Sequence, residues 1–127
     1  MATTILLVED EAFVREVECE VLRSQGFSVL PAENAREAMK LFQENSCGVD
    51  LLVSDLVMPG ESGHQLASAV RALRPEIAVL LTSGYDDQRI PGIAYLPKPF
   101  STRSLIAKVR EMLASRARSA AAGQSPS

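Results

Sequence analysis

The sequence predicts an α/β fold: an open parallel sheet with helices on both of its faces. Three observations predict it. Short runs of β-branched and aliphatic residues alternate along the chain with amphipathic helical stripes. Most of these runs are apolar without a break, which marks strands buried on both faces. The clearest of them stop abruptly at acidic or hydroxyl residues. In a sheet of βαβ units those stops fall on one edge, where such folds place their sites.

Thr4-Ile5-Leu6-Leu7-Val8 is the first strand and stops at Glu9-Asp10-Glu11. Phe13, Val14, Val17, Val21 and Leu22 stripe the first helix, and Gly26 is placed to end it. Phe27-Ser28-Val29-Leu30 is a weaker second strand. Asn34 with Glu37 signals a helix start, continued by Ala38, Leu41 and Phe42. Leu51-Leu52-Val53-Ser54 is the third strand and stops at Asp55. Ser62 with Gln65 opens the next helix, carried by Leu66, Val70 and Leu73. Ile77-Ala78-Val79-Leu80-Leu81 is the fourth strand and stops at Thr82-Ser83-Gly84. At most a turn or two of helix fits around Asp86 to Ile90, before Pro91 and Gly92. Ile93-Ala94-Tyr95-Leu96 is the fifth strand and stops at Pro97-Lys98-Pro99. Leu105, Ile106, Val109, Met112 and Leu113 stripe the last helix. From about Ser115 the composition predicts a frayed helix end and then a disordered tail, so the domain is drawn at 1–116 and the tail at 117–127.

The 127 residues suit one domain, and 46% hydrophobic with 23% charged is an ordinary globular balance. A net charge of −3 argues against direct nucleic-acid binding. No apolar run approaches membrane-spanning length, and Met1-Ala2-Thr3-Thr4 lacks a basic leader, so a cytoplasmic location is expected. Cys19 and Cys47 are too few for a disulfide framework. Charge is lopsided: residues 1–62 carry 12 acidic and 4 basic side chains, and residues 63–127 carry 4 and 9. That split suits either two differently solvated faces or acids gathered on a cation.

The edge itself carries chemistry. Glu9, Asp10 and Asp55 would crowd carboxylates together, and like charges a few ångströms apart call for a cation. A hard divalent ion with oxygen ligands answers this, Mg²⁺ before Ca²⁺, since no ligand-rich loop is present. Lys98 would pair with Asp55, and Ser83 offers a hydroxyl beside it. A carboxylate flanked by a divalent ion, an ammonium and a hydroxyl is a place to receive a phosphoryl group. Taken singly, each residue also suits an acidic helix start, a loop acid or a solvated lysine. His64, the single histidine, reads as a solvated surface group.

Ile5-Leu6-Leu7-Val8-Glu9-Asp10-Glu11, then Asp55 through Gly63, then Ser83-Gly84-Tyr85, then Lys98-Pro99-Phe100 resemble the receiver domain of bacterial two-component response regulators over about residues 3–114. Receivers at the ends of hybrid sensor histidine kinases carry a similar opening motif and Ser-Gly-Tyr. The resemblance implies a flavodoxin-like (βα)5 doubly wound sheet of strand order 2-1-3-4-5, with a shortened or irregular fourth helix here. It implies Asp55 as the phosphoacceptor, Glu9, Asp10, Asp55 and the carbonyl of Val57 around Mg²⁺, and Lys98 as the phosphate-stabilising cation. It implies Ser83 as the switch hydroxyl, with the adjacent Thr82 as the alternative, and Tyr95 as the aromatic that moves on activation. Val57 and Tyr85 would flank the approach of water and make self-dephosphorylation slow. The implied partners are a histidine kinase or histidine phosphotransfer domain and a downstream protein, for a monomer or weak dimer. A phosphorylation-independent interaction module is the rival reading. An aspartyl-phosphate phosphatase would need a second acid where Val57 stands.

Overall fold

The computed structural model describes residues 3–45, 48–83 and 90–123, with side chains placed through residue 115. Its elements run β1 (Thr4–Val8), α1 (Ala12–Ser24), β2 (Ser28–Ala32), α2 (Ala35–Glu44), β3 (Leu51–Asp55), α3 (Gly63–Leu73), β4 (Ala78–Ser83), β5 (Ala94–Pro97) and α4 (Thr102–Gly123). The five strands are parallel in the order β2-β1-β3-β4-β5. This is the doubly wound α/β architecture expected.

Strand alternation divides the core into two layers. Leu6, Val8, Leu52, Val79 and Leu81 face α2 and α3, where they meet Ala38, Phe42, Leu66 and Val70. Ile5, Leu7, Leu51, Val53 and Leu80 face α1 and α4, where they meet Leu22, Leu105 and Val109. Burying each such aliphatic side chain is worth about 1.5–3 kcal/mol, so both faces of the sheet contribute to folding.

The helix starts follow local chemistry. The Asn34 side chain accepts the Glu37 N–H at 2.8 Å. Ser62 and Gln65 form a reciprocal capping box, with Ser62 N–H on Gln65 Oε1 at 2.8 Å. Gly26 takes a φ of +93° just past α1, the left-handed conformation that suits glycine at a helix end.

Three expectations are revised. β2 runs on through Pro31 to Ala32, and β5 runs to Pro97. Both are edge strands, which tolerate a residue without an N–H. The last helix continues to Gly123, into the stretch 117–127 expected as a disordered tail. Arg116, Ala117, Arg118 and the alanines at 120–122 are strong helix formers that carry the helix onward. Residues 124–127, the 86–89 part of the expected short fourth helix, and Cys47 lie outside the described residues.

Candidate functional site

Glu9 follows β1, Asp55 ends β3, Thr82 and Ser83 end β4, and Lys98 follows β5. Parallel pairing puts all of these ends on one edge of the sheet. β3 and β4 are in register with Asp55 opposite Thr82. Alternation therefore sends Asp55, Thr82 and Lys98 to the α1/α4 side, and Ser83 to the other side with Leu81 and Tyr95.

Oxygen atoms of Glu9, Asp10 and Asp55 lie within 4.8 Å of one another. Glu9 and Asp55 are buried, and Asp10 is exposed. Lys98 Nζ sits 2.8 Å from Asp55 Oδ1 and 3.8 Å from Glu9 Oε2. The Thr82 hydroxyl stands 3.5 Å from the same Asp55 oxygen, at the limit of a hydrogen bond. Ser83 is buried, and its carbonyl accepts the Lys98 N–H at 2.6 Å. The Lys98–Pro99 peptide is cis.

The loop after β1 is held from two sides. The Glu11 N–H donates to Glu9 Oε1 at 3.2 Å, and Arg15 of α1 donates to the Glu9 carbonyl at 2.7 Å. Under the loop after β3, the Gly63 N–H donates to Leu56 O at 2.7 Å. A Cβ on Gly63 would come within 2.5 Å of the Asp55 carbonyl oxygen, so only glycine allows α3 to start this close to Asp55.

Burial raises the Glu9 carboxyl to about 7, with the Asp55 charge adding to it and the Glu11 N–H and Lys98 opposing. Burial works against the Lys98 charge, but the hydrogen bond and charge of Asp55, with Glu9 and Glu18, outweigh it and raise Lys98 above its ordinary value. A buried Glu9 that resists ionisation, crowded by two further carboxylates, is the electrostatic mark of a site built for a cation.

Some sequence-predicted residues fall elsewhere. The Val57 side chain is 77% exposed, standing out into solvent beside the loop. Tyr95 is away from the acids, half-buried, with its hydroxyl on His64 and Ile90. His64 is therefore corrected: it is a half-buried partner of Tyr95, because the first turn of α3 packs beside β5. Tyr85 and Gly84 lie outside the described residues.

One residue near the site escaped the sequence reading. Glu18 of α1 is buried, lines the same apolar groove as Lys98, and is pushed by burial to about 7. The available signal was an acid inside the stripe, four residues from both Val14 and Leu22.

The chain matches the response regulator receiver domain over residues 5–110. It belongs to that family. It is 39% identical over 119 residues to the sensor kinase CckA of Brucella abortus, covering 88% of this chain and 13% of that protein. It is 34% identical over 122 residues to the phosphate regulon transcriptional regulatory protein PhoB of Klebsiella pneumoniae, covering 89% of this chain and 52% of that one. The receiver here thus spans a small part of the kinase and about half of the regulator. Among solved structures, the receiver domain of the hybrid histidine kinase CckA superposes with a TM-score of 0.79 at 38% identity, over 87% of this chain and 98% of that one. TrrA from Thermotoga maritima, solved in complex with Mg²⁺ and BeF, superposes with a TM-score of 0.77 at 31% identity, over 87% and 98% of the two chains. Receiver domains are regulatory switches of two-component systems, and they bind Mg²⁺ at an acidic site. The residues present fit that ion, since the converging donors are hard carboxylate oxygens. Among the described residues no helix is long and apolar enough to cross a membrane.

Proposed function

We propose that Asp55 is the phosphoacceptor of this receiver. The observation that carries the reading is the Lys98–Asp55 contact of 2.8 Å beside two further acids at the ends of adjacent strands. Glu9, Asp10, Asp55 and the carbonyl of Val57 would hold Mg²⁺, which supplies charge neutralisation for the transferring phosphoryl group. The Asp55 carboxylate attacks phosphorus, the bond from phosphorus to the donor nitrogen breaks, and an acyl phosphate remains on Asp55. Lys98 pairs with Asp55 at rest and meets the phosphoryl oxygens afterwards. Ser83, or its neighbour Thr82, supplies the hydroxyl that turns to the phosphoryl group, and the protein then regulates a partner.

The donor is a phosphohistidine on a histidine kinase or phosphotransfer domain. An apolar groove of about 570 Å³ opens beside Lys98, lined by Phe13, Val14, Val17, Pro99 and Phe100. Phe13 at its rim is 77% exposed, so the groove offers the donor domain a seat next to Asp55.

Incubation with acetyl phosphate and Mg²⁺ tests the reading by intact mass. One acid-labile phosphoryl group is expected on the wild type and none on Asp55→Asn, whose amide is a poor nucleophile of the same shape. Equal labelling of the two proteins overturns the assignment.

A further inference from the structure

His64 and Tyr95 are 31 residues apart in sequence, yet His64 Nε2 lies 2.9 Å from the Tyr95 hydroxyl. Their rings meet edge-on, with centroids 5.9 Å apart and planes at 75°. The same hydroxyl accepts the Ile90 N–H at 2.8 Å. The hydroxyl is hydrogen-bonded to Nε2 as well, the imidazole tautomer setting which of the two donates. One side-chain oxygen thus ties α3 to the segment that enters β5.

The other end of the tie reaches Asp55. His64 follows Gly63, whose N–H is on Leu56 O at 2.7 Å. The Gly63 Cα is pressed so closely on the Asp55 carbonyl that a Cβ would stand 2.5 Å from its oxygen. Two consecutive residues of the first turn of α3 therefore connect the Asp55 backbone to the Tyr95 hydroxyl. This path bypasses the hydroxyls of Thr82 and Ser83. β5 is an edge strand with sheet hydrogen bonds on one side only. Its aromatic is therefore placed by side-chain contacts more than by the ladder.

We propose that His64 is a positioning residue for Tyr95. Its imidazole holds the ring in the resting conformer and carries movement of the Asp55–Leu56 backbone to the Ile90 segment. The inference rests on Asp55 being the acceptor. A half-buried hydrogen bond is strong enough to bias a two-state side chain severalfold.

The test follows the Tyr95 ring resonances of the full chain by NMR, in Mg²⁺ alone and on titration with beryllofluoride. His64→Phe keeps a ring but removes the hydrogen-bonding nitrogen, and His64→Gln keeps a polar group able to donate or accept. In His64→Phe the Tyr95 resonances should move toward their beryllofluoride-bound positions before the ligand is added, and affinity for it should rise about three- to tenfold. His64→Gln should stay within about twofold of wild type, and His64→Phe in a Tyr95→Phe background should change affinity by less than about twofold. Wild-type resonances and affinity in His64→Phe overturn the inference, as does an equal effect in both backgrounds. If His64→Phe does not fold, Tyr95→Phe alone must show the gain in affinity, and its absence overturns the inference. A wild type that neither binds beryllofluoride with Mg²⁺ nor labels on Asp55 overturns the phosphoacceptor reading instead.

Discussion

Gly63→Ala adds a single methyl group at the point where α3 meets the acceptor strand. The new Cβ would lie 2.5 Å from the Asp55 carbonyl oxygen, 2.9 Å from the Leu56 Cα and 3.2 Å from the Leu81 side chain. Two of the three are backbone atoms in buried residues, so neither can swing aside. Overpacking of this kind costs about 1–3 kcal/mol. Opposing it is the better helix propensity of alanine, at most about 1 kcal/mol. The loop and α3 must part, and a net loss of about 1–2 kcal/mol is expected. With a urea dependence of about 2 kcal/mol per M, the unfolding midpoint falls by about 0.5–1 M. Gly48→Ala is the control. A Cβ there meets only the Asn45 carbonyl, at an ordinary 3.6 Å, so its midpoint should stay level or rise slightly. Equilibrium urea unfolding of the three proteins, followed by circular dichroism, decides the matter. A Gly63→Ala midpoint at or above wild type refutes the claim that close backbone approach is what this position requires.

Further expectations concern the acids and the mouth of the site. Glu18 is raised by burial from 4.5 to about 7, so its stabilising contribution is full below pH 4.5 and is lost as pH rises to about 7. Glu18→Gln should match wild type near pH 4 and exceed it by about 3 kcal/mol above pH 7; parallel stability curves across that range would refute this. Asp10→Asn should weaken Mg²⁺ binding tenfold or more and Glu9→Gln less, while Asp10→Asn stabilises the metal-free protein by relieving carboxylate crowding. Calorimetric titration showing equal affinities in Asp10→Asn and wild type counts against the site. Val57 has no polar side-chain atom to orient a water, so Val57→Asn should speed decay of the phosphorylated protein about threefold or more. Loss of the phosphoryl mass at the wild-type rate would show that this side chain does not govern hydrolysis.

Glu9, Asp10, Asp55 and Lys98 were legible because each follows an apolar run, and parallel pairing converts the end of a run into a place in space. The capping residues Asn34 and Ser62 were legible because their hydrogen bonds are local. His64 was not, since its partner is 31 residues away and only the packing of α3 beside β5 brings them together. Glu18 was passed over because a stripe is read by its apolar members, and an acid among them looks like a gap. The division of Thr82 and Ser83 between the two faces needed the register of β3 against β4, which no local pattern reports. The last helix outran its expected end because arginine and alanine extend a helix even where no apolar stripe remains.

The prolines of the two outer strands have a consequence for assembly. In β2 the Ser28 N–H turns inward to Thr3 O, so Val29 and Pro31 turn outward. In β5 the Lys98 N–H turns inward to Ser83 O, so Tyr95 and Pro97 turn outward. Each open border thus lacks a donor where an incoming strand would seek one. A sixth strand, from another copy or from an unfolding neighbour, finds a broken ladder on either side. Neither border therefore offers a continuous ladder for zipping. Any association between copies is left to the helix faces, where side chains rather than backbone choose the partner.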